Sequence, residues 1–463
     1  MSLEQRVGQL FVVPICPTHG QEHLDQVYKL LKEKQIGGVI LMEGQSEEQR
    51  KIIQEIQAKQ DIPLLTFQDA EWGVSMRLKD IPALPKNLTL GAIEDLELLR
   101  SFGRELARQC RLYGIQGNFA PVVDVNSNPQ NPIIHRRSFG ENPHEVALRA
   151  QAVMEGMQEG GLLACAKHFP GHGDTVIDSH VDLPRIDKTL AELEDLELIP
   201  FRRLINEGVD LVMLGHLYFP ALSDLPSSMS ETIITGLLRE KLGFKGLIIT
   251  DALNMQALAK HFSMEEIFLK PLLGGADLLL TATSHPEVSA YLIETAIPQA
   301  IEWIKERVPE EIIDERVNRI LEVKQGLSLE MPKEQPGLRR ELYRHALTLV
   351  GQMPEFGNEI ALVQSRPDPD FEEALAQYAE VKTFSFEEMD LAAGHPHVLI
   401  NLRKGDCPSF LPSHALVALF DTPYALRKIP ALVGYEDVPE AKEAVADALY
   451  GKLTPLGKLP IQL

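Results

Sequence analysis

Residues 167–184 read KHFPGHGDTVIDSHVDLP. Lys167, three histidines (His168, His172, His180) and the carboxylates Asp174, Asp178 and Asp182 crowd into this one stretch, with Asp187 just beyond it. Three chemistries compete for such a mixture. A metal site needs ligands at compatible spacing, and here the histidines stand four and eight residues apart without an H-E-x-x-H helix frame. Pro170, Gly171 and Gly173 also oppose a helix. A phosphate cradle calls for G-x-x-x-x-G-K-[ST], which the stretch lacks. The third chemistry is proton transfer. Asp178 and His180 are one residue apart, so in an extended segment their side chains lie on the same side. An aspartate so placed orients a histidine and favours its charged form. Such a histidine can protonate a leaving oxygen and later take a proton from an acceptor. A separate carboxylate, Asp251, is then the candidate nucleophile.

Something must position these groups. Short apolar runs alternate with helix-like segments from the start of the chain: 10–15, 37–42, 63–68, 117–125, 162–168, 210–216, 246–252 and 277–282. Eight strand-then-helix units with apolar strands predict parallel strands covered by helices. Their number fits a TIM (β/α)8 barrel, an α/β fold, with a doubly wound open sheet as the alternative. A helical stretch over about 286–328 closes the region, and Pro332, Pro336 and Gly337 mark a linker. The expected division is a barrel domain over 1–332 and a small α/β domain over 333–463. In the latter, a helix over 341–350 precedes strands near 359–363, 381–386, 397–402 and 414–420.

Barrel chemistry collects at the C-terminal ends of the strands. Those ends carry Asp69, Glu71 and Arg77 after the third strand, and Asp124 and Arg137 after the fourth. Lys167 and His168 close the fifth, His216 the sixth and Asp251 the seventh. One polar residue closing an apolar strand is an ordinary cap. So many together point to one shared polar pocket.

The net charge of −22 disfavours a phosphate backbone as partner, so no nucleic acid is expected. No run approaches the roughly 20 apolar residues of a membrane span. The N-terminus has no basic start and only a short apolar run, so the cytoplasm is the expected location. Cys16, Cys110, Cys165 and Cys407 show no CxxC spacing and read as buried, reduced thiols.

The stretch K-H-F-P-G-H-G-D-T-x-x-D-S-H-x-x-x-P resembles the signature of glycoside hydrolase family 3, in its bacterial β-N-acetylglucosaminidase branch. DAEWGVSMR (69–77), FAPVVDV (119–125), RSFGENP (137–143), VMLGH (212–216) and LLREKLGFKGLIITDALNM (237–255) fit in the same order. The resemblance covers about residues 1–330. It implies Asp251 as nucleophile, His180 as general acid/base and Asp178 as its dyad partner. It also implies that Asp69, Arg77, Arg137, Lys167 and His168 hold the sugar's hydroxyls and 2-acetamido group, and that His216 lines the pocket. The implied activity is retaining removal of terminal β-linked N-acetylglucosamine, with muropeptides as a family substrate and no metal or cofactor. A phosphorylase using the same intermediate and a catalytically idle sugar binder are the rivals. Trp72 stands where the family usually has glycine, which makes it either a sugar platform or packing. The short C-terminal domain is expected to support the barrel rather than to supply site residues.

Overall fold

The computed structural model describes residues 1–175, 182–327, 331–426 and 430–462. Eight strands form one sheet: β1 (Phe11–Ile15), β2 (Gly38–Leu41), β3 (Leu65–Gln68), β4 (Gly117–Asn118), β5 (Leu163–Phe169), β6 (Leu211–Leu214), β7 (Leu247–Thr250) and β8 (Leu279–Leu280). Each pairs in parallel with its sequence neighbour, and β1 also pairs with β8. A parallel bridge between Ile249 and Leu278 joins β7 to β8 and closes the barrel. The open-sheet alternative is thereby excluded. Helices cover the outside, so the strands are buried on both faces and read as Val/Ile/Leu runs.

The closing seam is held by a charge. Asp277, fully buried just before β8, accepts the Ile248 amide of β7 at 2.8 Å. The same carboxylate pairs with Arg239 and, at 2.8 Å, with Arg319. Burying a carboxylate is costly unless it is paired and hydrogen-bonded, and here both oxygens are engaged.

Two expectations about the barrel need correction. The fourth strand, expected over 117–125, ends at Asn118. Pro121 has no N–H to give to the ladder, and only a bridge from Val122 to Lys167 resumes it. The helix expected over 286–328 is interrupted. One segment, Ile297–Arg307, stops at Val308, whose extended backbone (φ −102°, ψ 127°) suits a residue before proline, and Glu310–Gln325 begins after Pro309.

The second sheet contains β9 (Thr348–Val350), β10 (Glu359–Gln364), β11 (Glu380–Phe384), β12 (Val398–Arg403), β13 (Leu416–Phe420) and β14 (Ala431–Val433), in the order β11-β10-β12-β13-β14-β9. All pairs are parallel except β14 with β9. The expected helix over 341–350 occupies Leu338–Ala346 instead, and its last residues become β9. β14 was not among the expected strands. Cys16, Cys110 and Cys165 are buried as expected, whereas Cys407 is exposed in a loop after β12. Among the described residues, no helix is long and apolar enough to cross a membrane.

The second unit braces the loop between β4 and β5. Tyr424 donates to Glu141 at 2.6 Å and accepts from Asn126 at 2.7 Å, and Arg136 pairs with Asp421. Glu141 also accepts the Gln462 amide and donates its own amide to the Pro460 carbonyl.

Removing the seam carboxylate takes the buried counter-charge from Arg239 and Arg319 and leaves the Ile248 amide without its acceptor. Asp277→Ala is expected to cost about 3–5 kcal/mol in urea unfolding. A change within about 0.5 kcal/mol, the range of ordinary surface substitutions, would mean that the seam closes without this charge.

Candidate active site

At the C-terminal ends of the strands lies a cavity of about 600 Å³, of the size that takes small ligands. Its lining includes Asp69, Glu71, Arg77, Arg137, Lys167, His168 and Asp251, which the sequence placed at strand ends or in the loops beyond them. Asp178 and His180 lie outside the described residues. Every cavity-lining residue falls between Ile40 and Val288, so among the described residues none comes from the second sheet unit.

The charged groups alternate in sign along one chain. Arg77 sits between Glu43 (2.8 Å) and Asp69 (2.7 Å). Lys167 bridges Asp69 (3.0 Å) and Glu71 (2.8 Å), and Arg137 closes on Glu71 at 2.8 Å. Burial alone would raise the Asp69 carboxyl, but Lys167 and Arg77 outweigh it and hold the group well below the usual range. Burial likewise opposes ionisation of Glu71, and Arg137 and Lys167 overcome it to bring the group down to about 2. Lys167, buried between two carboxylates, stays charged: desolvation pulls its pKa down, but Glu71 and Asp69 leave it raised.

The line ends on an imidazole. His168 Nδ1–H donates to Asp124 at 2.8 Å, and Arg137 Nη2 donates to Nε2 at 3.4 Å, which fixes the tautomer. Asp124 also accepts the backbone amides of His168 (3.2 Å) and His172 (2.7 Å). It therefore holds the start of the loop in place from behind the cavity. Successive strand residues normally face opposite sides, yet Lys167 and His168 both line the cavity. The pairing of β5 with β6 shifts register between Lys167 and Phe169, and this irregularity re-aims His168. His172 also lines the cavity and is buried. Desolvation and neighbouring His168 bring it down to about 4, so it is neutral.

Asp251 follows β7 and differs from the other carboxylates. Its Oδ1 accepts the Ala252 amide at 2.7 Å, and among the described residues it takes part in no ion pair. Burial would raise it, but the His216 and His168 imidazoles, the Ala252 amide and Lys167 keep it below the ordinary aspartate value. The result is an ionised carboxylate facing the cavity.

His216 is not among the cavity-lining residues, contrary to expectation. It is buried behind Asp251, where Nε2–H donates to the Ala252 carbonyl at 3.0 Å and Nδ1 lies 2.7 Å from Ser228 Oγ. Its position fixes the backbone that carries Asp251. Trp72 does not line the cavity either. Lys86 stands over its ring at 5.6 Å, which supports packing over a sugar platform. The remaining loop carboxylates are spent elsewhere: Asp174 on Lys188, Asp182 on His261 and Asp187 on Arg185. Sequence reasoning missed Glu43 and Ser284. Both sit at the far end of the charge line, where Ser284 donates to Glu43. Glu43 stood just beyond an expected strand, and that was its only signal.

Comparison with known proteins bears on the family and the fold. Residues 2–323 match the family described as the glycosyl hydrolase family 3 N-terminal domain. A β-hexosaminidase of Thiobacillus denitrificans is 34% identical over 280 residues, 58% of this chain and 77% of that protein. A glycoside hydrolase family 3 β-N-acetylglucosaminidase from Paenibacillus sp. strain FPU-7 superposes with a TM-score of 0.84 at 30% identity, covering 100% of this chain and 99% of its own. The β-glucoside phosphorylase BglX, bound to 2FGlc, shares the fold at a TM-score of 0.83 and 21% identity, covering 100% of this chain and 94% of its own.

The Glu71 shift has a testable sign. Its pKa is depressed on folding, from an ordinary 4.5 to about 2. The stability it contributes is therefore complete above pH 4.5 and is lost as pH falls from there towards 2. Glu71→Gln removes this titration, so its melting temperature should fall less steeply over that window than that of the unsubstituted chain. At pH 7 it should melt lower, because the Arg137 and Lys167 charges lose a partner. Identical acid slopes for the two proteins would contradict the assignment.

Proposed function

The chain belongs to glycosyl hydrolase family 3, and from that premise we propose that it is a retaining exo-β-N-acetylglucosaminidase. The observation that carries this reading is the unequal treatment of three cavity carboxylates. Asp69 and Glu71 spend their oxygens on Arg77, Lys167 and Arg137, while Asp251 is ionised and outside any described ion pair. An unpaired carboxylate at a strand end is available to attack; the paired ones are available to hold. Likeness to the Thiobacillus β-hexosaminidase and to the Paenibacillus β-N-acetylglucosaminidase supports N-acetylhexosaminides as the substrate class.

In the proposed reaction Asp251 attacks the anomeric carbon as His180, oriented by Asp178, gives its proton to the leaving oxygen. The glycosyl–oxygen bond breaks and a glycosyl-enzyme ester forms. His180, now neutral, takes a proton from water, which attacks the same carbon and releases Asp251. Two inversions leave the β configuration unchanged. Arg77, Asp69, Lys167, Arg137 and His168 present directional donors and acceptors to the hydroxyls and the 2-acetamido group. Muropeptides as substrate extend the reading by family likeness.

Two rivals are disfavoured by particular observations. An idle binder has no use for an unpaired carboxylate kept ionised in its cavity. A phosphorylase needs cations for its anionic acceptor, and the cavity's cations, Arg77, Lys167 and Arg137, are each engaged by carboxylates.

The test compares aryl β-N-acetylglucosaminides with the matching β-glucosides, with and without phosphate at ~10 mM, above ordinary KM values. A site that hydrogen-bonds the acetamido group should prefer it by on the order of 10⁴ in kcat/KM. Free N-acetylglucosamine should remain the main product when phosphate is present. Equal kcat/KM on the two sugars would overturn the substrate class. A dominant sugar phosphate would make the enzyme a phosphorylase.

A further inference from the structure

A second group of reactive side chains lies at the same rim and plays no part in the proposed reaction. Cys16 follows β1 directly, His19 ends the turn Pro17–His19, and His23 lies in the helix Gln21–Lys34. None of the three lines the sugar cavity. We propose that Cys16, His19 and His23 form a binding site for a zinc-class transition-metal ion.

Geometry gives the first argument. Each residue offers one ligand atom, and the three atoms lie within 4.8 Å of one another. Zinc bound at its usual 2.0–2.3 Å sets its ligands roughly 3.3–3.6 Å apart, so small side-chain rotations bring the set together. Ligand type gives the second. One sulfur and two imidazoles favour zinc and its neighbours over magnesium or calcium, which take oxygen ligands.

His19 adds a feature independent of both. Its Nε2 lies 3.0 Å from the Ser284 carbonyl, an acceptor, so Nε2 carries the proton. Nδ1 therefore presents a lone pair, is shielded from solvent, and has no hydrogen-bond partner among the described residues. A histidine that gives one ring N–H to a carbonyl and keeps the other nitrogen beside a sulfur and a second imidazole has the arrangement of a metal ligand with its outer support in place.

Binding has a cost. The Cys16 amide now donates to His23 Nε2 at 3.0 Å, and the Cys16 thiol donates to the Thr283 carbonyl at 3.1 Å. On metal binding the S–H bond breaks, its proton passes to solvent and a metal–sulfur bond forms, with no change of oxidation state. The Cys16 amide gives up a ring nitrogen to the ion. Thr283 and Ser284, whose carbonyls hold Cys16 and His19, line the sugar cavity, so the site adjoins the proposed active site without belonging to it.

The test uses the full chain, freed of metal by a chelator, and titrates it with Co²⁺ and then Zn²⁺. One Co²⁺ per chain should bind with a thiolate-to-cobalt charge-transfer absorption that Zn²⁺ removes by displacement. Cys16→Ser should abolish that absorption. Both it and His19→Ala should weaken Zn²⁺ binding more than about 100-fold, beyond the 10–100-fold cost of losing an outer-shell partner. His19 is only partly buried, so its alanine variant should fold, and circular dichroism checks both variants. Absence of the absorption in the unsubstituted chain would overturn the site. So would unchanged Zn²⁺ affinity in either variant, which would place the ion elsewhere or reduce the ligand set.

Discussion

The site depends on a line of alternating charge: Glu43, Arg77, Asp69, Lys167, Glu71, Arg137, then His168 and Asp124. It crosses the ends of β2, β3 and β5 and the loop after β4. A buried charge is tolerated only when paired and hydrogen-bonded, and here every interior member has a partner on each side. Removing one takes a partner from each of its two neighbours. The line therefore fixes the mutual positions of strands whose backbone pairing ends below the cavity. Alternation also leaves Asp251 apart, with no cation among the described residues to satisfy it directly.

The rest of the molecule can be understood as support for that line. Arg137 lies on a long loop with little regular structure. Arg136, Glu141 and Asn126 of the same loop are held by Asp421, Tyr424 and the last residues of the chain. The second sheet unit thus contributes no described side chain to the cavity and still governs one of its cations. On the opposite side, His216, held at its other ring nitrogen by Ser228, donates to the Ala252 carbonyl behind Asp251. Asp277 closes the barrel at the far end of β7 and β8.

Much of this was legible in the sequence. The barrel strands showed because strands covered on both faces must be apolar, and the site residues showed because polar groups closing such strands stand out. What was hidden depends on partners distant in sequence. Glu43 has meaning only beside Arg77, and His216 resembles a lining residue until its bonds to Ala252 and Ser228 place it behind Asp251. β9 was hidden because Thr348–Val350 continues the apolar pattern of the preceding helix, and β14 because three residues carry no periodicity. The Cys16, His19 and His23 group carries no CxxC spacing, since its sulfur is single and its other members are imidazoles.

The central claim is that Asp251, the unpaired carboxylate, forms the covalent intermediate. The most direct measurement is mass spectrometry of peptides after reaction with a slowly turned-over fluorinated N-acetylglucosaminide. The account predicts one glycosyl label per chain on the peptide containing Asp251, and no label in Asp251→Ala. A label on another carboxylate, or the same label in the Asp251→Ala chain, would contradict it.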